Sequence, residues 1–319
     1  MKNPRGPTRS TLFIPAFLTH SYSYSSQALD RMSGIVARPA TYIESASNPL
    51  IKDVVRAVSH SAPTRDGLWV AESFHLLDEA LASKLKVREV LVSARVQSQV
   101  ETRLRGHGEV SLRIIDDALF QQIASTETTQ GVLALVEPPQ WGLADLFSGV
   151  PLVVALDGIQ DPGNAGAVVR CAEAFGAGGV IFLKGTAHVA NPKTLRAAAG
   201  SLFRIPHVSG VEPAQLVEEA SRRQMHLFAA MSRSGRALPE IPLNQGCVVV
   251  FGSEAHGVSE AFRNGAEHVR IPTKVVESLN VSAAAAVVLY EAARQRAAKS
   301  QPRSVRKPPP RRIPRTIRR

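Results

Sequence analysis

The sequence predicts an α/β protein of two domains, the second built on a doubly wound, mostly parallel sheet. Three observations predict it. Short continuous apolar runs recur at Leu152 to Leu156, Val180 to Leu183, Met225 to Ala230 and Cys247 to Phe251, and strands apolar on both faces belong in a parallel sheet covered on both sides. Helical spacing fills the intervals at Ala165 to Phe175 and Val211 to Gln224, and strands alternating with helices make βαβ units. A break at Glu137 to Gly149, EPPQWGLADLFSG, holds two prolines and two glycines and divides this half from what precedes it.

Composition sets the limits. The chain has 319 residues, 44% of them hydrophobic, enough to fill two cores. Its 2 cysteines, Cys171 and Cys247, sit inside apolar runs. They read as small buried hydrophobes in a reducing, cytoplasmic setting, not as a disulfide framework or a metal site. No apolar run reaches the length that spans a bilayer. The formal charge of +11 is unevenly placed: Ser300 to Arg319 carries eight Lys/Arg and no acid, and Met1 to Ala40 carries five against Asp30 alone. The body between is nearly neutral. Basic arms suit a polyanion, because each neutralised phosphate releases counterions, although a solvated tail gives the same pattern.

In chain order, residues 1–40 have no clean period. An apolar run from Leu12 to Leu18 follows Lys2, Arg5 and Arg9 and precedes SYSYSSQA, a faint likeness to a targeting signal. The reading is a disordered extension, or an artefactual one if translation begins at Met32, with a targeting signal as the alternative. Residues 41–136 form the first α/β domain. Pro49 to Val58 has helical spacing with Ser47 or Asn48 as cap, Leu68 to Glu72 is a strand, and Ser73 caps a helix carrying Leu76, Leu77, Ala80 and Leu81. Val87 to Val92, Val110 to Ile115 and Gln130 to Val136 are further strands, the last entered through a glycine turn. Residues 137–150 are the linker with one amphipathic turn. Residues 151–298 are the second domain, and 299–319 a basic disordered tail.

Three stretches of the second domain carry chemistry. Asn164, Gly166 and Arg170 follow the strand end Leu156-Asp157, and open α/β sheets place their sites at the carboxyl ends of strands. Gly166 permits close backbone approach, Asn164 is a candidate helix cap, and Arg170 projects from an Ala/Val helix, where an ion pair with Glu173 is the plain alternative. Phe251-Gly-Ser-Glu-Ala-His-Gly-Val258 directly follows a strand. Gly252 and Gly257 open backbone space, Glu254 is the only acid of the turn, and His256 reads as a loop residue rather than a base. Third is IPTKVVESLNVSAAAAVVLYEAARQR from Ile271 to Arg296. Pro272 ends a strand, Ser278-Leu279-Asn280 is a short turn, and Ser282 opens a helix through Ala298. Four alanines, Ala283 to Ala286, leave its first turn without bulk, so that a backbone or flat ligand can come close. A weaker satellite, Asn191 to Ser201, presents Lys193 and Arg196 on one helix as candidate RNA phosphate contacts, with a plain amphipathic helix as the alternative. A phosphate cradle of the G-x-x-x-x-G-K-[ST] kind is absent from the sequence, and Phe175-Gly-Ala-Gly-Gly ends a helix instead of opening one, wrong for a dinucleotide fingerprint.

Taken together, N-x-G-x-x-x-R at Asn164 to Arg170, G-x-E-x-x-G at Gly252 to Gly257 and IP…ESLNVS…LYEA resemble the three motifs of the SpoU (TrmH-type) RNA ribose methyltransferases of the SPOUT superfamily. The likeness covers Tyr42 to Ala298. In the first domain SASNPLIK…GLWVAES…LLDEAL…REVLVS…TTQGVLALV resembles the substrate-binding module that precedes the catalytic domain in many of these enzymes. The resemblance implies an α/β-knot, a mostly parallel sheet with a C-terminal trefoil knot, and a homodimer with the pocket near its interface. It implies that backbone around Gly252, Gly257, Ile271 and Leu279 holds S-adenosyl-L-methionine, with Asn280 at the same edge. By the same resemblance Asn164, Glu254, Ser278 and Asn280 gather where methyl and ribose meet, and Arg170 takes the catalytic role. Lys52, Arg56 and Arg65 are the first domain's candidate RNA contacts. The expected reaction is 2′-O-ribose methylation of a structured RNA, ribosomal before transfer RNA, without metal. Because a free guanidinium titrates at about 12.5–13.8, two roles for Arg170 stay open: base with a lowered pKa, or cationic stabiliser of a developing alkoxide. The loop Thr273 to Glu277 is shorter than the family pattern, and Thr273 replaces its Met. A non-catalytic RNA-binding protein on the same fold is the rival from another class; it would have no reason to keep all three motifs.

Overall fold

The computed structural model describes residues 40–300. The expectations for the first 39 residues and for the basic end past 300 lie outside the described residues.

The first half is a mixed five-stranded sheet with helices. In order come β1 (Thr41–Ile43), α1 (Pro49–Ser59), β2 (Trp69–Glu72), α2 (Phe74–Ala82), β3 (Val87–Ser93), α3 (Gln97–Arg103), β4 (Ser111–Ile115), α4 (Asp117–Ile123) and β5 (Val132–Val136). The sheet order is β1-β4-β3-β5-β2, with β1, β4 and β3 parallel and β5 antiparallel to both its neighbours. Caps start the helices. Asn48, the second of the two candidates, accepts the Leu50 amide at 2.9 Å ahead of Pro49, and Ser73 accepts that of Leu76 at 3.1 Å. The sequence does not predict α3, α4 and β1, each too short to show a period.

The second half adds β6 (Leu152–Asp157), α5 (Pro162–Ala174), β7 (Gly179–Leu183), α6 (Pro192–Ala198), β8 (His207–Val211), α7 (Pro213–Arg222), β9 (His226–Met231), β10 (Arg236–Ala237), β11 (Cys247–Gly252), α8 (Glu260–Gly265), β12 (Glu267–Arg270) and α9 (Val281–Ser300). All seven strands pair in parallel, in the order β10-β12-β9-β11-β6-β7-β8. Alternate residues of the buried strands feed two cores. Val153, Ala155, Val248 and Val250 meet Leu216 of α7 and Phe262 of α8 on one face. On the other face Val154, Leu156, Val249 and Phe251 pack with apolar residues of α5, α6 and α9. That is the doubly wound arrangement, helices on both faces.

Two expectations change. Val211 ends β8 instead of opening a helix; HVSGV has too weak an alternation to read as a strand. The connection at 137–150 is no free spacer, because Leu146 and Phe147 of its 3-10 turn are buried in the second core. The two halves also share apolar contacts. Trp69 and Ala71 of β2 belong to the same buried cluster as Leu152 and Leu195, and the Trp69 ring lies 5.6 Å from that of His207.

Candidate active site

β6 and β11 are neighbours in the sheet, yet the chain leaves β6 for β7 on its other side. Such a switch of direction opens a crevice at the carboxyl ends of the two strands, and both glycine-bearing motifs emerge there.

The loop after β6 reaches α5 through Asp161, whose carboxylate accepts the Asn164 amide at 2.8 Å and the Lys193 ammonium at 2.7 Å. The Lys193 hydrogen bond, helped by that of the Asn164 amide, holds the Asp161 carboxyl below the usual carboxylate range. Asp161, not Asn164, is therefore the cap. Asp before Pro at a helix start is the signal available in the sequence. The consequence is chemical: the Asn164 side chain is free to point away from its own helix. Gly166 does permit a close approach, but of α6, since a Cβ there would overlap the Thr194 carbonyl oxygen.

The loop after β11 folds back on itself. Ser253 and Gly257 exchange backbone hydrogen bonds at 3.0 and 2.9 Å, and a Cβ on Gly252 would overlap the Gly257 carbonyl. The space at Gly252 is thus filled by the loop's own return, and Gly257 supplies the positive φ of 66° that the turn requires. Buried Asp157 accepts the Ser259 amide at 2.6 Å and pins the far side of the loop. Glu254 stands at the tip.

The third loop leaves β12 at Ile271-Pro272, as expected, and ends on Asn280. The side-chain oxygen of Asn280 accepts the Ser282 amide at 2.9 Å and hydroxyl at 2.6 Å, and its carbonyl accepts the Ala284 amide. Asn280 is the cap of α9, which starts one residue before the expected Ser282.

These loops converge. Asn164 Nδ2 donates to Glu254 Oε1 at 3.1 Å, Asn280 Nδ2 donates to the same oxygen at 2.9 Å, and Asn280 Nδ2 also lies 3.2 Å from Asn164 Oδ1. Three residues from positions 164, 254 and 280 share one polar junction. Beside it opens a cleft of ≈ 400 Å³, walled by Gly252, Gly257, Ile271, Ser278 and Leu279, with Ala284 among its apolar residues. A second, smaller cleft opens beside Asn164.

The other candidates stand elsewhere. Arg170 lines neither cleft and is exposed on α5. At 3.6 residues per turn, six residues carry it about 240° round the helix from Asn164. Lys193 stays at the edge of the site through Asp161. Arg196 turns the opposite way, to buried Glu72 at 3.5 Å and the Ser125 hydroxyl. In the first domain, Arg56 bonds Asp53 and the Pro63 carbonyl, Arg65 is 81% exposed at 4.0 Å from Asp53, and Lys52 is exposed.

Comparison with known proteins places the chain. Residues 151–290 match the model of the SpoU rRNA Methylase family, and residues 48–134 that of the MRM3-like substrate binding domain. Over 252 residues the chain is 32% identical to the 23S rRNA (guanosine(2553)-2'-O)-methyltransferase RlmP of Bacillus subtilis, covering 78% of this chain and 97% of that protein. The chain belongs to the SpoU rRNA methylase family. Among solved structures, the SpoU methyltransferase AviRb from Streptomyces viridochromogenes, in complex with AdoMet, superimposes with a TM-score of 0.70 at 25% identity over 79% of this chain and 99% of that one. An AdoMet-bound rRNA methyltransferase from Sinorhizobium meliloti gives 0.66 at 26% identity, over 80% and 98%. The expected SPOUT α/β architecture, with a smaller domain before it, is the fold of this family.

Proposed function

We infer that this chain is an S-adenosylmethionine-dependent methyltransferase acting on a ribose 2′-hydroxyl of ribosomal RNA. The observation that carries the reading is the junction of Asn164, Glu254 and Asn280 at the edge of a cleft of ≈ 400 Å³. That volume lies within the roughly 300–1,000 Å³ of small-molecule sites. Backbone at Gly252, Ile271 and Leu279 lines the cleft as hydrogen-bonding edges for an adenosine, Gly257 shapes the loop through its pairing with Ser253, and Ala284 and Val288 offer an apolar surface. When bound there, S-adenosylmethionine supplies an electrophilic methyl on a sulfonium, whose C–S bond breaks as the C–O bond forms.

The chain's own groups do the rest. Ser278 and Asn280 border the place where methyl and ribose meet. Glu254, fixed by two amides, accepts a hydrogen bond from the ribose and orients it, and Asn164 keeps Glu254 in that position. The acceptor hydroxyl is a weak nucleophile until its proton is removed; Arg170 either takes that proton as a base with a lowered pKa, or stays cationic and stabilises the developing alkoxide while another group accepts the proton. Within one copy Arg170 is outside the clefts, so it acts in a homodimer or on an RNA phosphate brought by the substrate. The homodimer is supported by Val287 and Tyr290, 41% and 59% exposed on α9, the helix packed along the α5 of Arg170. Exposed Lys52 and Arg65 contribute RNA contacts on the first domain. Among the described residues no helix is long and apolar enough to cross a membrane, and a cytoplasmic site of action, with the ribosome, is part of this reading.

Two measurements test it. Ribose methylation mapped across total RNA with and without the gene loses a 2′-O-methyl nucleotide in ribosomal RNA; an unchanged map rejects the reading. Arg170→Ala abolishes transfer while calorimetric S-adenosylmethionine binding persists, and an Arg170→Lys variant with near-full rate would exclude a need for the planar guanidinium.

A further inference from the structure

Ser253, Glu254, Ala255, His256 and Val281 line both clefts. The Glu254 loop is therefore a partition with a hollow on each side. The larger hollow suits the methyl donor. The smaller, ≈ 180 Å³, is closed on its far side by Gly158, Ile159, Gln160, Asp161 and Asn164. It falls well below the roughly 300–1,000 Å³ that encloses a drug-sized ligand. One sugar or one base fits it, with the remainder of a larger molecule outside.

The polar groups of its walls are of two kinds. Asp161 is committed to Lys193 and the Asn164 amide, and Asn164 is committed to Glu254. Gln160 and His256 are different. Both are exposed, and neither the Gln160 amide nor the His256 ring has a hydrogen-bond partner among the described residues; His256 is held only through its backbone, by the Ser253 hydroxyl at 3.1 Å and by Arg263 at 3.3 Å. They stand on opposite walls, one on the loop after β6 and one on the loop after β11. A nucleotide in this hollow would meet an amide and an imidazole, groups that pair with ribose hydroxyls and base edges alike. Its sugar would border Glu254 from the side opposite the donor, and displacement at a methyl carbon requires nucleophile and leaving group at opposite ends.

We propose that the smaller cleft seats the nucleotide that carries the acceptor hydroxyl, with Gln160 and His256 contacting it from opposite walls. This rests on the reading of the chain as an RNA 2′-O-methyltransferase. Both residues are exposed loop positions, so their substitution leaves folding intact.

The test uses the full chain, with ribosomal RNA extracted from cells lacking the gene as acceptor and labelled S-adenosylmethionine as donor. Donor affinity and wild-type transfer examine the underlying reading, and the variants examine the inference. Gln160→Ala and His256→Ala each raise KM for the RNA about two- to tenfold, the range of one lost hydrogen bond, and the double variant raises it further. His256→Gln recovers part of the loss, and Kd for S-adenosylmethionine stays constant in Gln160→Ala, because Gln160 lines only the smaller cleft. An unchanged KM in the double variant overturns the proposal, as does weakened donor binding with KM for RNA unmoved. A second measurement needs no turnover. The His256 ring resonances, assigned by their absence in His256→Ala, shift on titration with guanosine 5′-monophosphate in the presence of S-adenosylhomocysteine. No shift at millimolar nucleotide overturns the proposal even if transfer by the wild type is never seen.

Discussion

Two glutamates, Glu72 and Glu254, invite comparison because each gathers donors from distant parts of the chain. Glu72 ends β2 and is 2% exposed. It accepts the Ser125 amide at 2.8 Å, the Ser125 hydroxyl and the Thr126 hydroxyl at 2.8 Å, with Arg196 alongside at 3.5 Å. Glu254 is exposed and takes two neutral amides on one oxygen. A buried carboxylate persists only when its lone pairs are filled and its charge is paired; Glu72 meets that demand and has nothing left to offer a ligand. Glu254 keeps hydrogen-bonding capacity at a cleft. One acid is a rivet between the two halves, the other an exposed acceptor at the mouth of a cleft.

The rivet also bears on the site. Arg196 lies on α6, and α6 packs against Gly166 of α5 so closely that no Cβ fits between them. Asn164 is two residues earlier. Through Glu72, Arg196, α6 and α5, the first domain's sheet is tied to the helix that presents Asn164, with Asn191 to Ser61 at 2.8 Å as a second tie. The backbone carrying Lys52 and Arg65 is thus held at a fixed offset from the cleft.

Variants should separate the two acids in opposite directions. Glu72→Ala strands Arg196 and three donors, and removing one partner of a buried pair costs about 3–5 kcal/mol. Chemical denaturation should record a loss of that size; a loss below about 1 kcal/mol would mean the junction is wetter than its burial indicates. Glu254→Ala should move the stability by less than about 0.5 kcal/mol, as surface substitutions do. Single-turnover transfer should nonetheless fall about 10²–10³-fold, the usual effect of deleting one preorganised hydrogen-bonding group. If instead the fall appears only in KM, Glu254 binds substrate without favouring the transition state. Gly252→Ala is intermediate in kind. Its Cβ would overlap the Gly257 carbonyl, and forcing the loop open costs about 1–3 kcal/mol, with weaker S-adenosylmethionine binding by calorimetry as the companion signal.

The two acids are unequally legible in the sequence. Glu254 stands out because it follows a strand, lies between two glycines and completes a three-motif pattern. Glu72 shows only as the end of a strand, since WVAES gives no sign that Ser125 and Arg196 arrive from 53 and more than a hundred residues away. For the same reason Arg196 resembles a phosphate contact until its partner is seen. The parallel strands are legible from their unbroken apolar runs, whereas β8 and the helices α3 and α4 are too short or too polar to show a period. Asn164 is marked by its motif, but its local task is not, because the Asp-Pro pair just ahead of Gly163 is the stronger cap. Helical arithmetic alone separates Arg170 from Asn164, which face different ways.

The smallest expected effect comes from an ion pair of a third kind. Arg233 pairs with Glu277, both side chains more than 70% exposed. Glu277 and Ser232, the neighbour of Arg233, line the larger cleft on opposite loops, so the pair spans two of its walls as a strap. Solvent screens a pair this exposed, and Arg233→Ala should leave the thermal midpoint where it was. Its effect should fall on the donor: S-adenosylmethionine should bind no more than about fivefold more weakly, and the difference from wild type should fade as salt rises toward about 1 M, where charges are screened within about 3 Å. A loss that survives high salt would show that Arg233 touches the donor directly. Such a result would move it from the class of Glu72, which shapes the molecule, to the role proposed above for Glu254.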